Sequence, residues 1–284
     1  MQVVVGGVVL DGAASSGWLL QDLLDWYRLP EVKSGITERP IADGAFVNRR
    51  ELRRSLQFSL TATYLGESEA EAVLALQALR AATARGPVAV TVTDAVATSS
   101  RQASVRGIEA RDHHGRSELT VSIDFVAFDP ARYGPQFCVS TGLPVAGTGL
   151  QFPSGVLGPD SATGFFDWGT PGDPGQVTVT NVGSADAFPL ITVTGVLNSG
   201  FEVVETQTGN RVRLDWPVVL GSQVAVDVKS SRAIVDGQGD VSAYLTMQGR
   251  FSVPAVGSRT YQFASLGASS GAPSLQVCVA PAYL

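Results

Sequence analysis

Hydrophobic and polar positions alternate without a break from Leu56 to Tyr64: Leu56, Phe58, Leu60, Ala62 and Tyr64 on one side, Gln57, Ser59, Thr61 and Thr63 on the other. A period of two puts one face on a core and the other toward water or a partner, so this stretch predicts a half-buried strand ended by Gly66. Residues 67–85, ESEAEAVLALQALRAATAR, switch to a helical period, with Ala72, Val73, Leu76 and Leu79 as the stripe that lies on the sheet. Acids in the first turn, arginines near the end and Gly86-Pro87 as the stop agree with the helix dipole and with termination. Residues 1–10, MQVVVGGVVL, predict a first strand. Residues 17–29, GWLLQDLLDWYRL, fit two patterns: an amphipathic helix confined to the residues before Pro30, or a strand or loop buried on both sides.

Further along, residues 88–93 (VAVTVT) predict a short strand. Residues 102–111 and 117–128 form the arms of a hairpin around 112–115, with Leu119, Val121, Ile123 and Phe125 on one face. Beyond Tyr133 no helical period remains. Short runs at 177–179, 189–195, 201–206, 211–216, 223–228, 233–235, 243–247, 260–263 and 275–279 are each bounded by Gly, Pro, Asn or Asp, the spacing of a jelly-roll β-sandwich. The composition changes across 133–136, which places a boundary there and divides the chain into domains 1–133 and 134–284. The fold class is therefore mainly β with one prominent helix.

Length and composition agree: 284 residues suffice for two cores, and 16% charged residues with 31 Gly and 15 Pro suit many short strands and turns. The net charge is −6, and fourteen of the twenty basic residues precede Gly134. Duplex binding draws on cationic side chains that neutralise phosphates, so an acidic chain is a poor candidate for wrapping DNA. It can still line a channel through which DNA slides, because like charge repels. The apolar start lacks a basic n-region, and no apolar run reaches the roughly 20 residues of a membrane helix, so neither a secretory signal nor membrane insertion is expected. Cys138 and Cys278 allow a disulfide between the first and last strands of the second half. Two buried free thiols are the favoured expectation, since nothing else points to an oxidising compartment.

Catalytic chemistry is missing from the motifs. The two histidines, His113 and His114, share one turn and have no third ligand nearby, so a plain turn is expected there. No GxSxG elbow, P-loop, HExxH or CxxC occurs. Asp236 and Asp240 in DGQGD have the residue types for calcium or glycoside chemistry, and a tight turn explains them more simply. No enzymatic activity and no cofactor are expected. Trp168 and Trp216 are either core residues or platforms that stack on a sugar ring. Arg49, Arg50, Arg53 and Arg54 leave three readings: an exposed strand face, a contact strip for a neighbouring subunit, or a phosphate-binding patch. No aromatic residues interleave with them as a single-strand-binding surface would want.

The order of these features resembles the distal tail proteins, also called siphovirus-type tail components or minor tail proteins, of bacteriophages with long non-contractile tails. The matching residues are the Asp43-Gly44 turn, the arginine-bearing segment 49–54, the strand ending at Tyr64-Leu65-Gly66 and the helix from Glu67. Phe128-Asp129-Pro130 and Tyr133-Gly134 resemble the family's junction, and residues 189–195, 224–227 and 249–263 are similar to its galectin-like C-terminal domain. The long Gly/Pro-rich segment 142–175 departs from the pattern. The resemblance implies an N-terminal α+β, tail-tube-like domain that closes into a hexameric ring, followed by a galectin-like sandwich. It implies a structural virion protein, assembled in the host cytoplasm, that joins the tail tube to the tail tip and leaves a passage for DNA. The implied partners are further copies of the chain, the tail-tube, tape-measure and tail-tip hub proteins, and in some cases a host surface glycan. Arg49, Arg50, Arg53 and Arg54 would then face neighbouring subunits or the channel. A carbohydrate-binding sandwich with an N-terminal oligomerisation domain is the alternative, with Trp168 and Trp216 as its contacts.

Overall fold

The alternating stretch forms a ten-residue strand, and its pairing organises everything before residue 135. In a computed structural model, residues 14–15, 34–36, 47–51, 112–116 and 151–168 are left out, and all other residues are described. The chain divides into two units, residues 1–135 with 283–284, and residues 136–282.

The first unit contains strands β1 (Gln2–Val5), β2 (Val8–Asp11), β3 (Trp18–Leu24) and β4 (Leu56–Leu65). Helix α1 (Glu69–Thr83) follows, then β5 (Val88–Thr93), β6 (Thr98–Arg111), β7 (Glu118–Ala127) and the short β8 (Arg132–Tyr133). Seven of these run in the order β6-β5-β1-β2-β3-β4-β7, and β7 pairs back onto β6, closing a barrel. The closure falls on β6: its first half, 98–103, pairs with β5, and its second half, 104–111, pairs with β7. The register shifts between Val105 and Gly107, a bulge that lets one strand bend from one neighbour to the other.

Inside the barrel, Val3, Val5, Leu10, Leu60, Val90, Val121 and Ile123 are buried together with the predicted face of β4. Residues 1–10 form two strands where one was expected. Gly6 and Gly7 both have positive φ, 55° and 96°, the backbone of a two-residue hairpin turn. Residues 18–24 are a strand rather than a helix: β3 pairs with β4, and a register shift between Leu20 and Asp22 breaks the alternation that would have marked it.

Helix α1 starts on Ser68, whose hydroxyl accepts from the Glu71 N–H at 3.3 Å, while the Glu71 carboxylate accepts from the Glu67 N–H at 3.0 Å. It buries Ala72, Leu76, Leu79 and Thr83. Val73, placed on the predicted stripe, lies outward and is 46% exposed.

The second unit contains β9 (Phe137–Gly142), β10 (Gln176–Asn181), β11 (Leu190–Leu197), β12 (Phe201–Glu205) and β13 (Arg211–Leu214). It continues with β14 (Gln223–Asp227), β15 (Arg232–Val235), β16 (Gly239–Asp240), β17 (Leu245–Gln248), β18 (Gly257–Ser265) and β19 (Ser269–Val279). These make two antiparallel sheets, β10-β18-β12-β13-β17 and β16-β15-β14-β11-β19-β9. Each buries one face: Val203, Val212, Leu214 and Phe263 from the first sheet, Ile191, Val193, Val224, Val226, Leu275 and Val277 from the second. The one charged side chain fully buried among the described residues here, Glu205, pairs with Arg259 at 2.5 Å.

The expectation of two free thiols is overturned. Cys138 and Cys278 are opposite one another on β9 and β19 and form a disulfide, and Cys138 is exposed rather than buried. The reason is register, which brings residues 140 positions apart face to face.

Asn181 is fully buried and ties three loops of this unit. Its amide donates to the carbonyls of Ala185, Val253 and Pro254 at 2.7, 3.2 and 3.2 Å, and its oxygen accepts from the N–H groups of Gly183 and Ala282 at 2.9 and 3.4 Å. Gly183 has no room for a side chain, because a Cβ there would sit 2.0 Å from the Ala282 carbonyl oxygen. An apolar isostere at 181 leaves these groups unpaired in a dry site. Asn181→Leu is expected to lower stability by about 2–4 kcal/mol, read as a shift of the urea midpoint at constant slope.

Candidate functional site

Between β3 and β4 the chain leaves the barrel and folds back on itself. Residues 31–33 pair with 52–54: the Lys33 N–H donates to Leu52 O at 2.7 Å and the Arg54 N–H to Glu31 O at 2.8 Å, around an antiparallel bridge between Val32 and Arg53. Nearer the tip Glu38 bridges Ala45, the Phe46 N–H donates to Thr37 O at 2.9 Å and the Arg39 N–H to Gly44 O at 3.0 Å. Gly44 takes φ 85°, as the Asp43-Gly44 turn requires. The result is an arm whose two sides pair at base and tip.

The arm carries large apolar side chains that stay at least half exposed. Ile41 is 99% exposed, and Leu29, Phe46 and Leu52 are each at least half exposed. Scattered apolar residues on a surface are ordinary, but several along one thin element mark a contact surface. Arg39 stands over the Phe46 ring at 6.0 Å.

The predicted arginines divide. Arg53 is half-buried and donates from Nη1 to Pro30 O at 3.1 Å, so it fastens the arm to itself. Arg54 is exposed and, with Arg28, Pro30, Glu31, Ser55, Leu56 and Gln57, lines a cleft of about 290 Å³ at the arm's base. Arg49 and Arg50 lie outside the described residues, as do Trp168 and the His113-His114 pair. Trp216 is half-buried and packs on Tyr244, ring centres 4.8 Å apart and planes inclined at 46°. Among the described residues no group of three or more His, Cys, Asp or Glu is arranged to hold a metal. Asp236 accepts from the Gln223 N–H of β14 at 2.8 Å, and Asp240 pairs with Arg232 of β15 at 2.9 Å, so both acids of DGQGD are engaged by the strands beside their turn.

One set of side chains that sequence reasoning missed anchors the arm's base. Trp26 is fully buried, edge-on to Phe58, and its other neighbour is Arg101, whose guanidinium stands 4.8 Å from the indole ring centre. Arg101 is 1% exposed and donates from Nη1 to Trp26 O at 2.5 Å. Burial, with Arg132 nearby, pushes its pKa down to about 10, so it stays charged at neutral pH. Next in the chain, the Tyr27 hydroxyl donates to Asp94 Oδ2 at 2.5 Å, and Arg132 stands 4.8 Å from the Tyr27 ring centre. The only sequence signal was the cluster of aromatics at 26–27, which fits a helix as readily.

No protein-family profile matches the sequence, and no curated protein does. Solved structures do. The Dit protein (gp 19.1) of phage SPP1, described as a paradigm of the hub adsorption apparatus in phages that infect Gram-positive bacteria, aligns over 100% of this chain and 99% of its own, with a TM-score of 0.65 and 13% identity. A chain of the phage P2 baseplate in its activated conformation with Ca aligns over 98% and 97%, with a TM-score of 0.58 and 9% identity. The same baseplate with Sr gives 0.55 at 9% identity. At such identities the likeness establishes a shared fold along the whole chain.

The Tyr27–Asp94 bond has a pH signature. The Tyr27 hydroxyl, then the Ala97 and Val96 N–H groups, hold the Asp94 carboxyl at about 2 against an ordinary 3.8. A depressed carboxylate stabilises the folded state above its unfolded pKa, and that contribution is lost as pH falls from about 4 through about 2. An NMR titration of the Asp94 carboxyl is expected to centre near 2, and Tyr27→Phe to move the midpoint up toward 3.8.

Proposed function

We propose that this chain is a structural component of a long non-contractile phage tail, which assembles into a ring joining the tail tube to the tail tip and leaves a channel for DNA. The observation that carries the reading is the fold shared end to end with phage tail hub and baseplate proteins. In this reading the first unit is the ring-forming, tail-tube-like domain and the second a galectin-like sandwich. Its partners are copies of itself, the tube, tape-measure and tail-tip hub proteins, and it acts in the virion without catalysis.

The exposed apolar arm supports the self-assembly part of the proposal. A thin hairpin that displays Ile41 and Phe46 to water has a reason to exist if a neighbouring copy covers it, because burying an apolar side chain is worth about 1.5–3 kcal/mol. Repeated head to tail with a rotation that closes, such a contact makes a ring. Arg54 stands at the base of the same arm, and we assign it, together with Arg49 and Arg50 a few positions earlier in the sequence, to contacts with the next subunit or the channel wall. The net charge of −6 suits a wall along which DNA passes without adhering.

A second reading, adhesion to host carbohydrate, rests on the half-exposed Trp216 against Tyr244, with Trp168 as its other candidate contact. A glycan array on the full-length protein that stays blank, or binding unaltered by Trp216→Ala, removes it.

Light scattering at high protein concentration, alone and with the tail-tube protein, is the direct test of assembly. The wild-type chain is expected to form a closed oligomer. The pair Ile41→Asp and Phe46→Asp is expected to give a folded monomer, and Arg49, Arg50 and Arg54 changed to Glu to weaken assembly at least about tenfold. A wild-type protein that stays monomeric under every one of these conditions would refute the ring.

A further inference from the structure

The Cys138–Cys278 bridge sits on the outer face of its sheet. Along β19 the neighbours Leu275, Val277 and Val279 point inward and are fully buried, while Cys278 alternates with them and is itself buried at 5% exposure, and Cys138 opposite is exposed. The bridge is therefore open to solvent at its Cys138 end and buried at its Cys278 end. What it does is join β9 to β19.

β9 is an edge strand of that sheet. It lies at the end of the strand order and has a hydrogen-bonded neighbour on one side only. Its inward residues Phe137, Val139 and Thr141 are half-buried, whereas those of β11 and β19 are fully buried. An edge strand with little apolar burial opens at low cost, ahead of the rest of its sheet. It is also the first strand after the division between units at 135/136.

We infer that the bridge is a redox-sensitive clasp on β9: oxidised, it holds the strand on β19, and reduced, it lets the strand detach while the rest of the sandwich stays folded. The inference does not depend on the function proposed above. The chemistry is thiol–disulfide exchange with a dithiol. A reagent thiolate attacks Sγ of Cys138, the exposed partner, the S–S bond breaks, and Cys278 leaves as a thiolate that takes up a proton. The reagent's second thiolate attacks the mixed disulfide and releases Cys138, which is protonated in turn. Two electrons pass to the bridge, the protein gains two thiols, and the reagent ends as a cyclic disulfide. Because 140 positions separate the two cysteines, the bridge also restrains the unfolded chain. The fully buried faces of the two sheets keep the reduced unit folded.

The test uses the full-length protein under native conditions with dithiothreitol. Alkylation followed by mass measurement is expected to modify both cysteines without denaturant. Hydrogen exchange of residues 137–142 is expected to speed up about tenfold or more on reduction, with residues 191–193 of β11 changing by less than about twofold. Cys138→Ser, which removes the bridge at its exposed end, is expected to show the reduced pattern without reagent. The clasp is overturned if the bridge resists dithiothreitol until the protein is denatured. It is equally overturned if residues 137–142 stay protected after reduction or in Cys138→Ser, or if exchange rises alike throughout the sandwich.

Discussion

The first unit depends on one strand that pairs with two different neighbours in succession. A sheet becomes a barrel only if its last strand finds its first, and here β6 does this by leaving β5 after Ala103 and taking up β7 from Ser104 onward. The bulge at 105–107 adds the residue that the bend needs, and Arg106, the residue without a partner there, is exposed. Closure gives each of the seven strands a neighbour on both sides and leaves an interior that side chains must fill. Valines and leucines fill it, with Trp26 edge-on to Phe58 and Phe58 stacked on Phe125 across β4 and β7.

Closure also decides what has to lie outside. The connection from β3 to β4 has no room in a filled barrel, so it projects as an arm and satisfies its own backbone by pairing 31–33 with 52–54 and 37–39 with 44–46. The base of the arm is held by contacts the barrel provides, Trp26 on Arg101 and Tyr27 on Asp94. A buried guanidinium beside an indole is a costly way to fill space, and its hydrogen bond to Trp26 O gives the cost a use, since it fixes where the arm departs. The second unit answers the same backbone requirement differently. Its two sheets stay open, so they have edges, and the edge strand β9 is the one that carries a covalent link.

Much of this was legible residue by residue. The alternation of β4, the helix with its acidic start and Gly86-Pro87 stop, the hairpin of β6 and β7, and most short strands of the second half are local patterns, and the structure contains them. Other features were present but read wrongly for local reasons. Gly6-Gly7 is a hairpin turn signal inside what looked like one apolar run. The pattern of residues 17–29 leaves a helix and a strand or loop both open, because Leu19, Leu20, Leu23 and Leu24 fall at a spacing that fits a helix, and the strand accommodates them through its register shift. Val73 fits the helical stripe by number, but the burial of α1 is centred on Ala72, Leu76 and Thr83, which turns Val73 outward.

By itself the sequence determined the one helix, most of the strands and their order, because each of these is written within about ten consecutive residues. Only the tertiary structure decided that β6 closes a barrel, that Trp26 meets Arg101, that Asn181 holds three loops, and that Cys138 faces Cys278. Those outcomes depend on register between strands far apart in the chain, and a shift of a single residue would turn every side chain to the opposite face. The physical content of the site is of this second kind. An arm is a local hairpin in the sequence, and it becomes a contact surface only because a filled barrel refuses to cover it.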